Sequence, residues 1–359
     1  MTHLFSSFQQ RGIAFRNRIG VSPMCQYSST DGFANDWHFT HLVSRAIGGA
    51  GLVFIEAAAI EAEGRISPKD LGIWSDQHIE TLAKITQQIH QAGAIAGIQL
   101  AHAGRKASCA VPWEGGKPVD ETQGGWRPVF APSAIAFNHV NSPEPQALDL
   151  AGIERVKAGF INGAKRSIEA GFQVIEIHAA HGYLLHEFLS PLSNHRDDAY
   201  GGSFENRIRL LMEVASGIRD IVPDRFPIWV RISASDWTEN SWDIEQSVEL
   251  AHKLKSLNID AIDASSGGIL NGLGANIPVG AGYQTAFSDR IRRETGINTA
   301  AVGSITSPEQ ADHIVRTGQA DMVLIGREFL RDPYWAARAA NHLKVKDFSY
   351  PVQYQRAWL

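Results

Sequence analysis

A single (β/α)8 TIM barrel with parallel strands, a long loop after strand 3 and a C-terminal extension is the fold class this α/β sequence predicts. Three observations carry that expectation. Eight short apolar, β-branched runs alternate with longer amphipathic stretches along nearly all of the 359 residues. The first run leads into Ser22-Pro23-Met24-Cys25-Gln26-Tyr27 and not into G-x-G-x-x-G, the turn that an open dinucleotide-binding sheet should carry. Polar residues of chemically useful types follow several of the runs, and barrel enzymes build their sites at the carboxyl ends of their strands.

Taken in order, the strands are expected at Ile19–Met24, Gly51–Ala57, Ile95–Ala101 and Val174–His178. Ile228–Ile232, Ala261–Ser265, Thr299–Gly303 and Met322–Gly326 complete the eight. Helical segments lie between them. Asp76–Gln91 has Asp76 placed to cap and an apolar stripe of Ile79, Leu82, Ile85 and Ile89 before Gly93. Ile153–Glu169 stops at Ala170-Gly171, and Pro308–Arg316 begins with Ser307 as cap and Pro308 in the first turn. Ala107–Pro132 is rich in Pro and Gly and reads as a lid-like irregular loop carrying Trp113 and Trp126. Residues 1–340 are expected to form the barrel, and residues 341–359 the extension beyond it.

Composition excludes several function classes. The chain is 44% hydrophobic and 20% charged, with a formal net charge of −5 and scattered Lys and Arg. That distribution offers no footprint for nucleic acid and no polybasic membrane anchor. Two cysteines, Cys25 and Cys109, without C-x-x-C give no support to a zinc knuckle, an iron–sulfur cluster or a disulfide framework. No apolar stretch approaches membrane-spanning length, and Met1-Thr2-His3-Leu4-Phe5 lacks the charged start of a signal peptide. A soluble cytoplasmic protein is the expectation.

The strand ends supply the candidate chemistry. Cys25 and Tyr27 follow the first strand, Gln99 and His102 stand at the third, and Arg231 lies on the fifth. In His178-Ala179-Ala180-His181-Gly182-Tyr183, two imidazoles can donate to one substrate oxygen while a phenol delivers a proton nearby. Two satisfied histidines in a crowded barrel mouth are the plainer alternative. A metal site completed by His102 and Glu56 is a third. Gly303-Ser304 and Gly326-Arg327 close the last two strands, where backbone N–H groups and a guanidinium suit a phosphate. A sugar phosphate, FMN or pyridoxal phosphate would satisfy that end. Pyridoxal phosphate also wants a lysine at a strand end, and Lys106 sits several residues beyond its strand. Arg231, inside an apolar strand, needs an anion or carbonyl oxygens, or an ordinary ion pair with Asp263 or Glu176.

At these residues the sequence resembles the Old Yellow Enzyme family of FMN-dependent ene-reductases. The resemblance is carried by His178-Ala-Ala-His181-Gly-Tyr183-Leu-Leu-His-Glu-Phe-Leu-Ser-Pro191 and its continuation through Asn194, Arg196, Tyr200 and Asn206-Arg207. Ser22–Tyr27, Gly97–Lys106, Ile325-Gly326-Arg327 and the tail Pro351–Trp358 also match, so the likeness spans essentially the whole chain. Cys25, where classical members have threonine, is similar to the branch called thermophilic-like.

The resemblance implies bound FMN, reduction by NADPH or NADH, and activated alkenes as substrates, namely α,β-unsaturated carbonyl or nitro compounds. Pro23, Met24 and Cys25 would lie along the flavin, with Cys25 tuning its redox poise. Ala57 and Gln99 would contact the pyrimidine edge, and Arg231 would offset charge at N1 and O2. Gly303, Ser304, Gly326 and Arg327 would hold the phosphate. His178 and His181 would bind the activating oxygen, Tyr183 would give the proton, and Tyr27 would border the substrate. The implied cycle is ping-pong: hydride passes from NAD(P)H to N5 and then to the β-carbon, while Tyr183 protonates the α-carbon. The resemblance further implies a homodimer or homotetramer in which Arg356, or alternatively Trp358, reaches a neighbouring active site.

Overall fold

The computed structural model describes residues 2–137, 142–271 and 275–358. Met1, in the expected barrel region, and Leu359, at the end of the extension, lie outside these residues. Eight parallel strands close into a barrel: β1 (Ile19–Val21), β2 (Leu52–Ala59), β3 (Ile95–Ala101), β4 (Val174–Ala179), β5 (Ile228–Ser233), β6 (Ala261–Ser265), β7 (Asn298–Val302) and β8 (Met322–Ile325). Each pairs with its successor, and β8 pairs with β1. All but one of the expected strands match within two residues. The exception is β1, which stops at Val21 because Pro23 has no N–H to continue the ladder.

The strands read as continuous apolar runs because both faces are covered, by the barrel interior on one side and helices on the other. The helix Leu150–Glu169 starts three residues earlier than the apolar stripe suggested, since Asp149 caps it by accepting from the Gly152 N–H at 2.7 Å. Ser307 caps Pro308–Arg316 as expected. Asp76 does not cap the segment after β2. Ser75 does, and Asp76–His78 forms a 3-10 turn ahead of the helix Ile79–Gln91.

The barrel floor is closed by an antiparallel hairpin, Phe8–Gln10 with Ile13–Phe15, which the sequence reading passed over. Gln10 accepts from the Trp229 indole N–H at 2.7 Å, and Trp229 meets Phe54 edge-on at 5.6 Å. Burying each of these rings contributes roughly 3 kcal/mol, so the lower barrel is a packed core and ligands are left to the opposite end.

At that end, β2 carries a bulge between Ile55 and Ala57. The extra residue, Glu56, accepts from the Gln26 N–H at 3.1 Å and faces His38 at 3.7 Å, which anchors the loop holding Cys25 and Tyr27. The segment Ala107–Pro132 is less irregular than its composition suggests. It contains 3-10 turns at Pro112–Glu114 and Glu121–Gln123. Ser108 Oγ accepts from the Trp126 N–H at 2.9 Å, and the Trp126 indole donates to Glu63 O at 2.9 Å. Its last residues, Phe130–Ala131, pair with Gln146–Ala147. After the helix Trp335–His342, the chain folds back through a Phe5–Phe348 contact at 5.6 Å and a Tyr334–Tyr354 contact at 5.8 Å.

Candidate active site

Two neighbouring cavities open at the carboxyl ends of the strands. The first, about 440 Å³, lies against β1, β5, β7 and β8 and is lined by Pro23, Met24, Arg231, Gly303, Ser304, Gly326 and Arg327. The second, about 560 Å³, lies between Tyr27, Tyr183 and the loop after β3, with Lys106, Cys109 and Phe137 in its wall.

The β4 loop stands at the second cavity through Tyr183. His178 packs edge-on against His181 at 5.2 Å and against Tyr183 at 5.1 Å. His181 adopts a φ of +60°, a conformation that costs a non-glycine residue energy and is held here by its partners. Its N–H donates to Ser233 Oγ at 2.9 Å, and its Nε2 shares a hydrogen with Ser265 Oγ at 2.7 Å. Burial, with Arg231 next, pulls both imidazoles well below the ordinary histidine range. They are therefore neutral, and the buried His178 Nδ1 has no partner within the protein. Burial also pushes the Tyr183 phenol well up, so it keeps its proton. Neutral N–H donors beside a protonated phenol suit a reaction in which negative charge develops on an oxygen and a carbon takes a proton.

Beneath this layer, Arg231 sits 3.0 Å from Asp263 and donates to Ser22 Oγ at 3.1 Å. The ion pair weighed for Arg231 thus exists, with Asp263 and not Glu176 as the carboxylate. Glu176 instead accepts from Gln99 Nε2 at 2.8 Å, and burial, with Asp263 next, raises its carboxyl. Ala57 stands beside Gln99 in register and lines a small cleft against Tyr183. Burial, followed by Asp70 and Glu56, pushes the Cys25 thiol up.

The metal reading fails on geometry. Among the described residues no group of three or more His, Cys, Asp or Glu can hold an ion. His102 turns to Glu61 at 3.6 Å, and Glu56 is occupied by Gln26 and His38. Neither Arg356 nor Trp358 lines either cavity of its own chain. One contributor was missed by sequence reasoning. Gln284 lines the first cavity, donates to Val302 O at 3.0 Å and accepts from Ser266 at 2.6 Å. It follows a loop with no motif. Ser265, by contrast, was visible as the last residue of a predicted strand.

Residues 3–346 match the model of the NADH:flavin oxidoreductase / NADH oxidase family. The chain belongs to that family. An NADPH dehydrogenase of Geobacillus thermodenitrificans is 47% identical over 359 residues, covering 99% of both chains. The solved structure of an Old Yellow Enzyme homologue from Zymomonas mobilis is 27% identical, with a TM-score of 0.78 and coverage of 97% of this chain and 94% of that one. A 2-naphthoyl-CoA reductase structure gives a TM-score of 0.85 at 25% identity, and this chain spans 52% of its length. The protein is accordingly an NAD(P)H-dependent flavin oxidoreductase with FMN as its cofactor.

The first cavity of this flavin oxidoreductase fits FMN. Its volume is in the range of small-ligand sites. Gly303, with φ +119°, bares its backbone there, and a Cβ at that position would come within 2.8 Å of Gln284 Nε2. Exposed Arg327 reaches Ser304 Oγ at 3.2 Å and adds the cation a phosphate requires.

Proposed function

We propose that this oxidoreductase reduces activated carbon–carbon double bonds, with α,β-unsaturated carbonyl or nitro compounds as substrates. The observation that carries this reading is the grouping of His178, His181 and Tyr183, neutral donors and a protonated phenol, with Tyr183 in the wall of the second cavity and His181 bonded to Ser265 in the wall of the first.

Gly303, Ser304, Gly326 and Arg327 would hold the FMN phosphate. Pro23, Met24, Cys25, Ala57, Gln99 and Arg231 would hold the ring. Bound there, FMN supplies hydride exchange between NAD(P)H and the alkene. His178 and His181 bind the activating oxygen, and their N–H groups meet negative charge as it grows in the transition state. Tyr183 delivers its hydroxyl proton to the α-carbon. Tyr27 shapes the substrate edge from the facing wall, where its ring packs on Trp113 at 5.9 Å. Cys25, kept as a thiol, adjusts the polarity at the ring.

Residues 341–359 act, in this reading, as an extension to the barrel of residues 1–340 within a cytoplasmic homodimer or homotetramer. Arg356 is exposed, and the tail packs beside Arg16, Ile47 and Gln91, with Tyr350 and Tyr354 lining a cleft there instead of the chain's own cavities. That placement leaves Arg356 available to a neighbouring subunit. Product analysis tests the reaction: incubation with NADPH and 2-cyclohexenone should yield cyclohexanone in step with NADPH consumed. NADPH consumed only at the expense of oxygen, with no saturated ketone, would refute ene-reduction.

A further inference from the structure

Lys106 was set aside in the sequence as a poor Schiff-base residue, yet its side chain occupies the junction of two site loops. Its ammonium donates to His181 O at 2.7 Å and to Gly268 O at 2.6 Å. The nitrogen also lies 5.4 Å from the centre of the Tyr183 ring and 4.2 Å from that of Phe137.

We propose that Lys106 is a positioning residue for substrate protonation. It ties the β4 loop, which carries His181 and Tyr183, to the loop after β6, and holds positive charge beside the phenol that gives up its proton. This inference rests on the ene-reductase reading above.

Two features of the junction call for a cation. The loops touch backbone to backbone: a Cβ on Gly182 would lie 2.1 Å from Gly268 O, and one on Gly268 would lie 2.5 Å from His181 Cα. Two carbonyl oxygens then face the same nitrogen, and an ammonium with three N–H donors satisfies both. Ser233 makes a neutral bridge alongside, accepting from the His181 N–H and donating to Gly267 O at 2.7 Å. Lys106 is the charged member of the pair. When Tyr183 releases its proton to the α-carbon, its oxygen becomes a phenolate in a cleft that disfavours charge. A nearby ammonium offsets that charge as it appears and so lowers the barrier.

The charged and titratable groups around Lys106 are Arg105 and Cys109 on its own loop, Glu187 on the following helix Leu184–Leu189, and His178, His181 and Tyr183 on the β4 loop. Tyr27 lines the same cavity. Burial pulls the Lys106 ammonium down to about 8, against support from Glu187. Burial lifts the Glu187 carboxyl to about 8 as well. The ammonium is therefore present below about pH 8 and lost above it, and Glu187 is the group from which it must be told apart.

The test is reoxidation of the reduced holoenzyme by 2-cyclohexenone in single turnover, from about pH 6 to about pH 10, together with amide hydrogen exchange of the two loops. Wild type should slow by about tenfold or more as pH rises through the ammonium titration. Lys106→Arg, which keeps the charge, should stay within about threefold of the low-pH rate and lose that descent. Lys106→Met should be slow at every pH, by about 10- to 100-fold. It should also speed exchange at Gly182 and at Gly268–Ile269, which Lys106→Arg should not. A descent that persists in Lys106→Arg assigns the titration to Glu187 and overturns the proposal. Wild-type exchange rates and pH profile in Lys106→Met overturn it too. If the wild-type enzyme is reoxidised by no activated alkene, the ene-reductase reading falls and takes the protonation role with it, whereas the exchange data still decide whether Lys106 joins the loops.

Discussion

At the ends of β7 and β8 the site is made of backbone and one exposed guanidinium; at the ends of β4, β5 and β6 it is made of desolvated side chains. Gly303, Gly326 and Arg327 line an open cavity with few fixed contacts among themselves, apart from the Arg327–Ser304 bond. His178, Arg231 and Asp263 are buried and His181 half-buried, with His181 held by Ser233 and Ser265 and Arg231 by Ser22 and Asp263. The first arrangement suits binding, because backbone N–H groups and an exposed cation wait in water for an anion. The second suits chemistry, because burial holds the imidazoles neutral and the phenol protonated.

Substitutions at the two ends should therefore fail in different ways. The largest effect is expected from Tyr183→Phe, which should slow alkene reduction by about 10²- to 10⁴-fold. The loss in flavin reduction by NADPH should be smaller by at least about tenfold. Stopped-flow traces of both half-reactions measure the ratio, and equal losses would remove the proton-donor role. Next, Arg231→Met leaves Asp263 buried without its partner and should destabilise the fold by about 3 kcal/mol near neutral pH. Asp263 is already raised by burial, with Arg231 opposing the rise. Without the arginine its carboxyl rises further, so the penalty is present above the unfolded carboxylate range and shrinks as acid protonates it. Thermal unfolding near neutrality and in mild acid checks the sign, and a loss that grows in acid would contradict the pairing.

At the binding end, Arg327→Ala should weaken FMN by about 10- to 100-fold, since one charge-assisted contact to the phosphate is lost. Flavin fluorescence on titration reads it directly, and unaltered affinity would move the phosphate elsewhere. The smallest effect belongs to Cys25→Ser, which should retain FMN and shift its reduction potential modestly. Spectroelectrochemistry gives the shift, and loss of the cofactor would make Cys25 a binding residue.

What was legible in the sequence follows the same division. The barrel could be read because strands covered on both faces are apolar throughout, and the lining of the first cavity because glycine and arginine at the ends of β7 and β8 are visible locally. Ser307-Pro308 marked a helix start for the same reason. The floor hairpin was not legible: Phe8–Gln10 and Ile13–Phe15 are three residues each, too short to show a period. Gln284 meets Ser266 across the loop between β6 and the helix Thr285–Thr295, and Lys106 meets His181 from the loop after the neighbouring strand β3. Neither contact leaves a local pattern in the sequence. The hold of Ser108 on Trp126 is likewise a tertiary contact that composition does not reveal.

The most direct test of the central claim is an anaerobic absorption spectrum of the purified protein, followed after NADPH and then after 2-cyclohexenone. The account predicts flavin bands that bleach with NADPH and return with the enone. Bands that bleach and stay bleached, whichever activated alkene is added, would contradict it.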